Sequence, residues 1–383
     1  MRTVLLEGDP EACGHVHGTL LKQEIHELVG LFRRRLLYRR GRTRGLLFEG
    51  LGRLLAWQLA RHSDPNWRQE LASLARGAQI DQGLLLLLNC FDDVINQVRL
   101  LDRAFGGLGC SAFALLPVRG GHGGPGTDQH LLHGRNLDYY FPSGYLADGG
   151  EVAATLRRYT TLFCYRPAGA IPFVSLAWPG YAGVVTGMSA AGISLSSNTS
   201  YARRADPFAP PTGSVYRRVL ETAGGLKDAA DRLLSTPAAM GQIVLVASGR
   251  ENDAALFELT PRRKVHLVPQ GGVLLATNHF ADPELRAAQA PLVPANSYVR
   301  LGRLAALLPT CRDEAGALRV LADAESPDPV DPHGPLCNVG TAQSVLFAPA
   351  ELRLWARAEP TASFEEIDAA RLLSVARPMA EPS

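Results

Sequence analysis

The sequence predicts an α+β fold, and three observations predict it. Up to about residue 105 the apolar positions recur at helical spacing, with little that alternates with period two. From Cys110 onward, short β-branched or alternating segments are separated by Gly and Pro. Helical patterns then return only between those strands. At 383 residues the chain can bury one large core or two modest ones, and its 46% hydrophobic and 20% charged content is ordinary for a globular enzyme. The net charge of +2 gives no global field that favours nucleic acid or an anionic membrane.

Taken in order, Asp9-Pro10 opens one amphipathic helix whose apolar positions are Leu20, Leu21, Ile25, Leu28, Val29 and Phe32. A second helical region runs from Trp67 to Ala75, and a Gly/Gln/Asp break leads into the apolar run Leu84–Cys90. Strands follow at CSAFALLPV, HLLHGRNL, ATLRRYTTLFCY, FVSLAW, GYAGVVTGM and GISLSS. Later ones are QIVLVAS, DAALFELT, KVHLVP, GVLLATN, SVLFAP and LRLWARA, with helical patterns at about 214–235, 297–308 and 313–324. No internal repeat occurs, and GGHGGPGTD at 120–128 reads as a loop.

No stretch of about 18 uncharged apolar residues predicts a membrane span, and no early apolar run has signal-peptide length. Cys13, Cys90, Cys110, Cys164, Cys311 and Cys337 lie far apart without CxxC pairs, which suits a reducing cytoplasm. Only Lys22, Lys227 and Lys264 are lysine among 39 basic residues, the mark of GC-rich, bacterial-type coding rather than of a ligand. The run Arg33–Arg44 leaves two readings open: a helix end whose cations complement the dipole, or a patch for an anionic partner. His15 and His17 stand two apart without an evident third ligand, so no metal site is expected.

The chemistry centres on Cys110. Folding the segment to Asp138 about Gly121–Gly124 as a hairpin brings Cys110 beside Arg135-Asn136-Leu137-Asp138. Arg135 would favour a thiolate, and Asp138 could hold a cationic partner or accept a proton. An obvious base is missing from this group. Cutting the Gly109–Cys110 bond supplies one, because the new α-amino group has an unperturbed pKa of about 7.7–8.0 and can take the thiol proton. His279 as a base in a papain-like pair with Cys110 is the alternative.

The segments GCSAF, HGRNLDYY, GYAGVVTGMSAAGISLSSN, LLATNHF, NSYVRLGRL and TAQSVLFAPAELRLWARAEP, in that order, resemble the peptidase C45 family. Its members include the fungal acyl-coenzyme A:6-aminopenicillanic acid acyltransferase; acid ceramidase and the choloylglycine hydrolases are more distant. GDPEACGHVHGTLLKQEI and ELASLARGAQID are similar to the family's propeptide, so the likeness spans nearly the whole chain.

The resemblance implies the four-layer αββα sandwich of N-terminal-nucleophile hydrolases. Residues 1–109 would be a helical propeptide or α chain, and 110–383 the catalytic β chain, together one compact unit. Cys110 is implied as nucleophile and new N-terminus after cleavage behind Gly109. Arg135 and Asp138 would support the thiol and α-amine, Asn278 would supply an oxyanion donor, and Arg300 would brace the site, with Arg303 the choice if the match slips by one turn. Tyr181 is expected to line the substrate pocket. Where the family has an oxyanion-hole asparagine after Gly187-Met188, this chain has Ser189, a shorter group at an implied substrate-binding position. The implied activity is cleavage or transfer of acyl groups on amides and thioesters through acyl-Cys110. One variant is an amine acyltransferase that uses acyl-coenzyme A in specialised metabolism; a silent binding relative is the other. No cofactor and no metal is implied, and acyl-coenzyme A would be a substrate. The partners implied are a small acyl-amide or acyl-thioester and the chain's own cleaved α segment, with no nucleic acid and no membrane; the sequence leaves room for a homo-oligomer.

Overall fold

The computed structural model describes residues 1–38, 41–98, 108–117, 126–127, 130–139, 150–290, 296–326 and 334–374. The 121–124 loop of the hairpin and the connection at 99–107 lie outside them, as do Arg39 and Arg40 of the arginine run.

Strand β1 (Arg2–Gly8) comes first, followed by α1 (Pro10–Leu20), α2 (Lys22–Phe32), α3 (Arg42–Ala60), α4 (Pro65–Ala78), α5 (Gln82–Asn89) and α6 (Phe91–Val98). The middle of the chain holds β2 (Leu108–Leu115), β3 (Leu132–Tyr139), α7 (Glu151–Tyr159), β4 (Thr161–Pro167), β5 (Phe173–Ala177), β6 (Thr186–Ser189) and β7 (Ile193–Thr199). Then come α8 (Thr212–Thr222), α9 (Leu226–Ser235), β8 (Gln242–Ser248), β9 (Asp253–Leu259), β10 (Lys264–Leu267), β11 (Val273–Ala276) and α10 (Pro283–Ala287). The end is α11 (Asn296–Leu307), α12 (Glu314–Leu321), β12 (Thr341–Ala348), β13 (Arg353–Arg357), β14 (Glu365–Asp368) and α13 (Ala369–Leu373).

Aspartates start the early helices as their Asp-Pro and Asp-Gln steps predict. Asp9 Oδ1 accepts from the Ala12 N–H at 2.8 Å, and Asp64 and Asp81 cap α4 and α5 in the same way. Helix α1 lies unusually close to α4. A Cβ on Gly14 or Gly18 would stand 2.2 Å from the carbonyl oxygens of Glu70 and Leu74, so only glycine permits the approach.

Two sheets stack face to face, with strand orders β1-β4-β5-β6-β7-β8-β9-β10 and β11-β2-β3-β12-β13-β14. Alternation along the strands makes three cores, hence four layers. Phe163, Phe173, Leu195, Val244 and Phe257 face Leu21, Ile25, Leu74 and Leu220 of the N-terminal helices and α8. Ala112, Ala114, Leu245 and Leu274 lie between the sheets, while Phe113, Leu115 and Leu346 face Leu304 and Leu321 of α11 and α12. The structure has the αββα order.

Two differences from the sequence reading have physical causes. The N-terminal part is not wholly helical: β1 joins the edge of the larger sheet, parallel to β4 from Arg2↔Thr161 to Gly8↔Pro167. The 214–235 pattern is two helices, broken at Gly224-Gly225. The arginine run is partly used at home, with Arg33 on Glu49 at 3.0 Å and Arg35 paired with Glu151 of α7. His15 and His17 sit on a helix, not a strand, and His17 Nε2 accepts the Gly180 N–H at 3.0 Å.

Candidate active site

Strands β2 and β3 pair antiparallel with Cys110 opposite Leu137, Ala112 opposite Arg135 and Gly109 opposite Asp138. The hairpin thus assembles the expected group, one residue out of the register that folding at Gly123 gives. Side chains alternate, so Cys110, Arg135 and Leu137 face the larger sheet. Ser111, Asn136 and Asp138 face the layer of α11 and α12. Arg135 Nη2 lies 3.5 Å from the Cys110 Sγ and donates to the Ser197 carbonyl at 2.6 Å, while Nη1 meets Thr186 Oγ1. Asp138 is fully buried, and its carboxylate accepts from Asn338 Nδ2 at 2.8 Å and Thr341 Oγ1 at 2.7 Å.

The neighbouring strand explains why Asn278 and Arg300 are needed. The β11–β2 ladder ends at Ala276↔Ala112, so the backbone of Cys110, two residues further on, has no strand partner on that side. Side chains replace the ladder. Asn278 Oδ1 accepts the Cys110 N–H at 2.8 Å, and Arg300 Nη1 donates to the Cys110 carbonyl at 2.5 Å and to Ser111 Oγ at 3.0 Å. Arg300 Nη2 also donates to Asn278 Oδ1 at 2.9 Å, fixing which end of the amide faces the cysteine. Asn278 Nδ2 donates to the Thr199 carbonyl at 2.9 Å. Sulfur, nitrogen and carbonyl oxygen of Cys110 are therefore each met by a different buried side chain. Arg303 instead pairs with Asp323 and Glu325, so of these two arginines of α11 it is Arg300 that touches Cys110.

Burial pushes the Cys110 thiol above its ordinary pKa; Arg135 pulls it down, Asp138 raises it, and Arg300 and a backbone hydrogen bond from Asp138 lower it. Desolvation wins, so the thiol of the intact chain is protonated at neutral pH. His279 offers it no base. Its Nδ1 is 2.8 Å from Ser297 Oγ, its ring stacks on Tyr298, and burial lowers its pKa to about 4.

Ser189 is not at the site, which corrects the expectation that it binds substrate. Thr186, at the other end of β6, is the residue that meets Arg135. Ser189 shares the opposite strand face with Gly187, whose Cβ position abuts Leu220 of α8. Its Oγ is buried without a partner. The residue that sequence reasoning missed is Asn198 on β7. Its Nδ2 donates to the carbonyls of Ala276 and Thr277 beside Asn278, and its Oδ1 has no partner. A buried asparagine at the end of the alternating GISLSSN run is the signal that could have found it.

A cavity of about 1070 Å³, partly open to solvent, adjoins this cluster. Leu137, Leu156, Trp178 and Val185 pack around Cys110 and also line the cavity, as do Arg135 and Tyr181. Its other wall is N-terminal: Leu28, Leu31 and Phe32 of α2, and Phe91 and Asp92 of α6. Elsewhere, His130 stands with each ring nitrogen 3.0 Å from a carboxylate, Glu314 on one side and Glu351 on the other. Among the described residues no helix is long and apolar enough to cross a membrane.

A protein of Archaeoglobus fulgidus described only as uncharacterized is 26% identical over 275 residues, 67% of this chain and 43% of the relative. The chain thus spans less than half of that relative's length. Among solved structures, the Caenorhabditis elegans ortholog of N-acylethanolamine-hydrolyzing acid amidase is 20% identical with a TM-score of 0.44, over 63% of this chain and 93% of that one. Penicillin V acylase from Agrobacterium tumefaciens is 15% identical with a TM-score of 0.44, over 69% of this chain and 88% of its own. The family described as acyl-coenzyme A:6-aminopenicillanic acid acyl-transferase matches residues 153–362, more than half of the chain, and the protein belongs to that family of acyl-transfer enzymes.

Proposed function

We propose that the chain is a precursor that cuts its own Gly109–Cys110 bond, after which Cys110 accepts acyl groups from small amides or thioesters. In the first step the thiol adds to the Gly109 carbonyl, the peptide C–N bond breaks, and the nitrogen takes the thiol proton. Water then hydrolyses the resulting thioester, leaving a Gly109 carboxylate and a free Cys110 amine and thiol. In turnover the α-amine takes the thiol proton and sulfur adds to the substrate carbonyl. The leaving amine or thiol departs with that proton. Water or an acceptor amine then releases the acyl group from Cys110.

The observation that carries this reading is the individual hold on Cys110: Arg135 at sulfur, Asn278 at nitrogen and Arg300 at the carbonyl. An inert core cysteine in a strand needs none of these. After cleavage the same Asn278 oxygen would hold the new amine against the thiol. An amide nitrogen has two hydrogens, so Asn278 Nδ2 keeps one for the oxyanion beside its bond to Thr199. Gly109 and Cys110 are buried within β2, out of reach of an external protease, which favours self-cleavage.

Intact mass of the purified protein tests the reading. Two fragments that meet at Gly109 and Cys110, and an added acyl mass on the larger one with substrate, are expected. An uncut chain with full acyl-transfer activity overturns it.

A further inference from the structure

The cavity beside Cys110 is unevenly polar. Much of its lining is hydrocarbon, including Leu28, Leu31, Phe32, Leu88 and Phe91. Arg135 is the one cation among its described lining residues, and that guanidinium is engaged with Thr186, Ser197 and the thiol. Asp92 and Asp93 of α6 line the same space, together with Gln242 at the start of β8. Every one of the three presents an acceptor.

The three are not equally satisfied. Asp93 is 2% exposed and takes the Thr212 N–H at 3.2 and 3.3 Å and its hydroxyl at 3.3 Å, at the N-terminus of α8. Asp92 has neither an ion pair nor a side-chain hydrogen bond among the described residues. Gln242 is 3% exposed, and its Oε1 is buried with no partner among the described residues. An unpaired carboxylate next to a second one, with an orphaned amide oxygen on the same wall, is costly in an apolar chamber. Burial acts in the same direction: it pushes Asp92 up to about 6 and Asp93 up to about 7, with the Asp92 charge adding to the rise at Asp93. Tyr181 and Tyr139, the phenols facing this corner, are raised as well, so neither supplies charge. Such an arrangement becomes favourable when a ligand brings a positive charge and several N–H donors.

We propose that Asp92, Asp93 and Gln242 form a subsite for a protonated amine, so that the part of the substrate lodged in the cavity is a hydrocarbon spacer ending in an ammonium group. Asp92 is the ion partner, Gln242 Oε1 takes a second N–H, and Asp93, anchored on Thr212, supplies charge from behind. The leucine side chains of the lining accommodate the spacer, and the Arg135 guanidinium beside Cys110 would repel a reversed ligand. This rests on the reading of Cys110 as nucleophile only for the direction of the substrate, so binding and turnover are tested apart.

Binding is measured on the full chain carrying Cys110→Ala, with hexylamine, hexan-1-ol and hexanoate as probes. Hexylamine is expected to bind at least about tenfold more tightly than hexan-1-ol, the ratio a charge-assisted hydrogen bond supports, and hexanoate more weakly than both. Asp92→Asn is expected to collapse the amine preference toward one, and Asp92→Glu to restore most of it. Equal binding of amine and alcohol, or an amine preference that Asp92→Asn leaves intact, overturns the subsite. Turnover is measured with 6-aminohexanoyl- and hexanoyl-p-nitroanilide, and with the amides of hexanoate formed on 1,6-diaminohexane and hexylamine. A tenfold higher kcat/KM for the cationic member of either pair, lost in Asp92→Asn, supports the proposal and says which side of the scissile bond enters the cavity. An amine that binds as expected but is released by a fully active Cys110→Ala enzyme sinks the nucleophile assignment and leaves the subsite standing.

Discussion

The cluster around Cys110 and the acidic part of the cavity lining treat polar groups in opposite ways. Behind Cys110 the charges are buried and engaged: Arg300 touches four oxygens, Arg135 reaches a hydroxyl, a carbonyl and the thiol, and Asp138 is held by Asn338 and Thr341. At the acidic part of the lining, Asp92 and the Gln242 oxygen have no side-chain hydrogen-bond partner among the described residues. Satisfied groups of the first kind fix a geometry before any ligand arrives. Unsatisfied groups of the second kind lower stability until something fills them. One cluster is built to position atoms, the other to select them.

Removing Cys110 is the strongest way to break the contrast. Cys110→Ala should abolish both chain cleavage and acyl transfer, read by gel and by product mass; cleavage that persists means another group cuts the chain. Next comes the holding cluster. Asn278→Ala, made in protein that has already been cleaved or produced as two chains, should lower kcat by about 10²–10³. A kcat within twofold of the parent would remove Asn278 from catalysis and leave it a replacement for the missing strand.

The cleavage step should also depend on pH in a definite direction. Because burial keeps the thiol above its ordinary pKa, first-order cutting of purified precursor should rise by close to tenfold per pH unit from 6 to 8. A rate that is flat over that range would place a base beside the thiol. At the selecting cluster the sign concerns stability. Asp92 has a folded-state pKa of about 6 against an ordinary 3.8, so the native state holds more protons than the unfolded one between those values, and stability falls as pH rises through them. Asp92→Asn should therefore raise the melting temperature at pH 8, by roughly 2–4 °C, and have little effect at pH 4. The smallest effect is expected at Ser189→Ala, within about 0.5 kcal/mol and twofold in kcat/KM, since a hydroxyl with no partner on the far strand face is lost. A large loss there would return Ser189 to the substrate site.

The holding cluster was more legible in the sequence than the selecting cluster, and the reason is how each is built. Cys110, Arg135 and Asp138 lie on one hairpin, where local chain geometry brings them together. Asn278 and Arg300 stand in runs whose order along the chain carries the family likeness. Ser189 was misplaced because a side chain's face depends on strand register, and neighbours along a strand point to opposite sides. Asp92, Asp93 and Gln242 left no trace, because α6 and β8 meet only once the N-terminal helices pack on the larger sheet, and no periodicity encodes a cavity. Strand β1 was overlooked for a related reason. Val4 and Leu6 are buried and Leu5 is exposed, a period of two, but over seven residues at a chain end whose partner lies about 160 positions away.

That strand alters what a cut behind Gly109 would mean for the folded molecule. A severed N-terminal piece would still be sewn to the rest by the β1–β4 ladder and by the bidentate Glu70–Arg217 pair, at 2.8 and 2.6 Å, that ties α4 to α8. Before the cut, unfolding is a one-molecule event. Afterwards it separates two chains, so the midpoint of heat or urea denaturation becomes a function of protein concentration. Refolding changes order as well, from first to second, because the halves must find each other by diffusion. A single backbone scission would thereby turn one covalent chain into a pair that reassembles poorly from dilute solution.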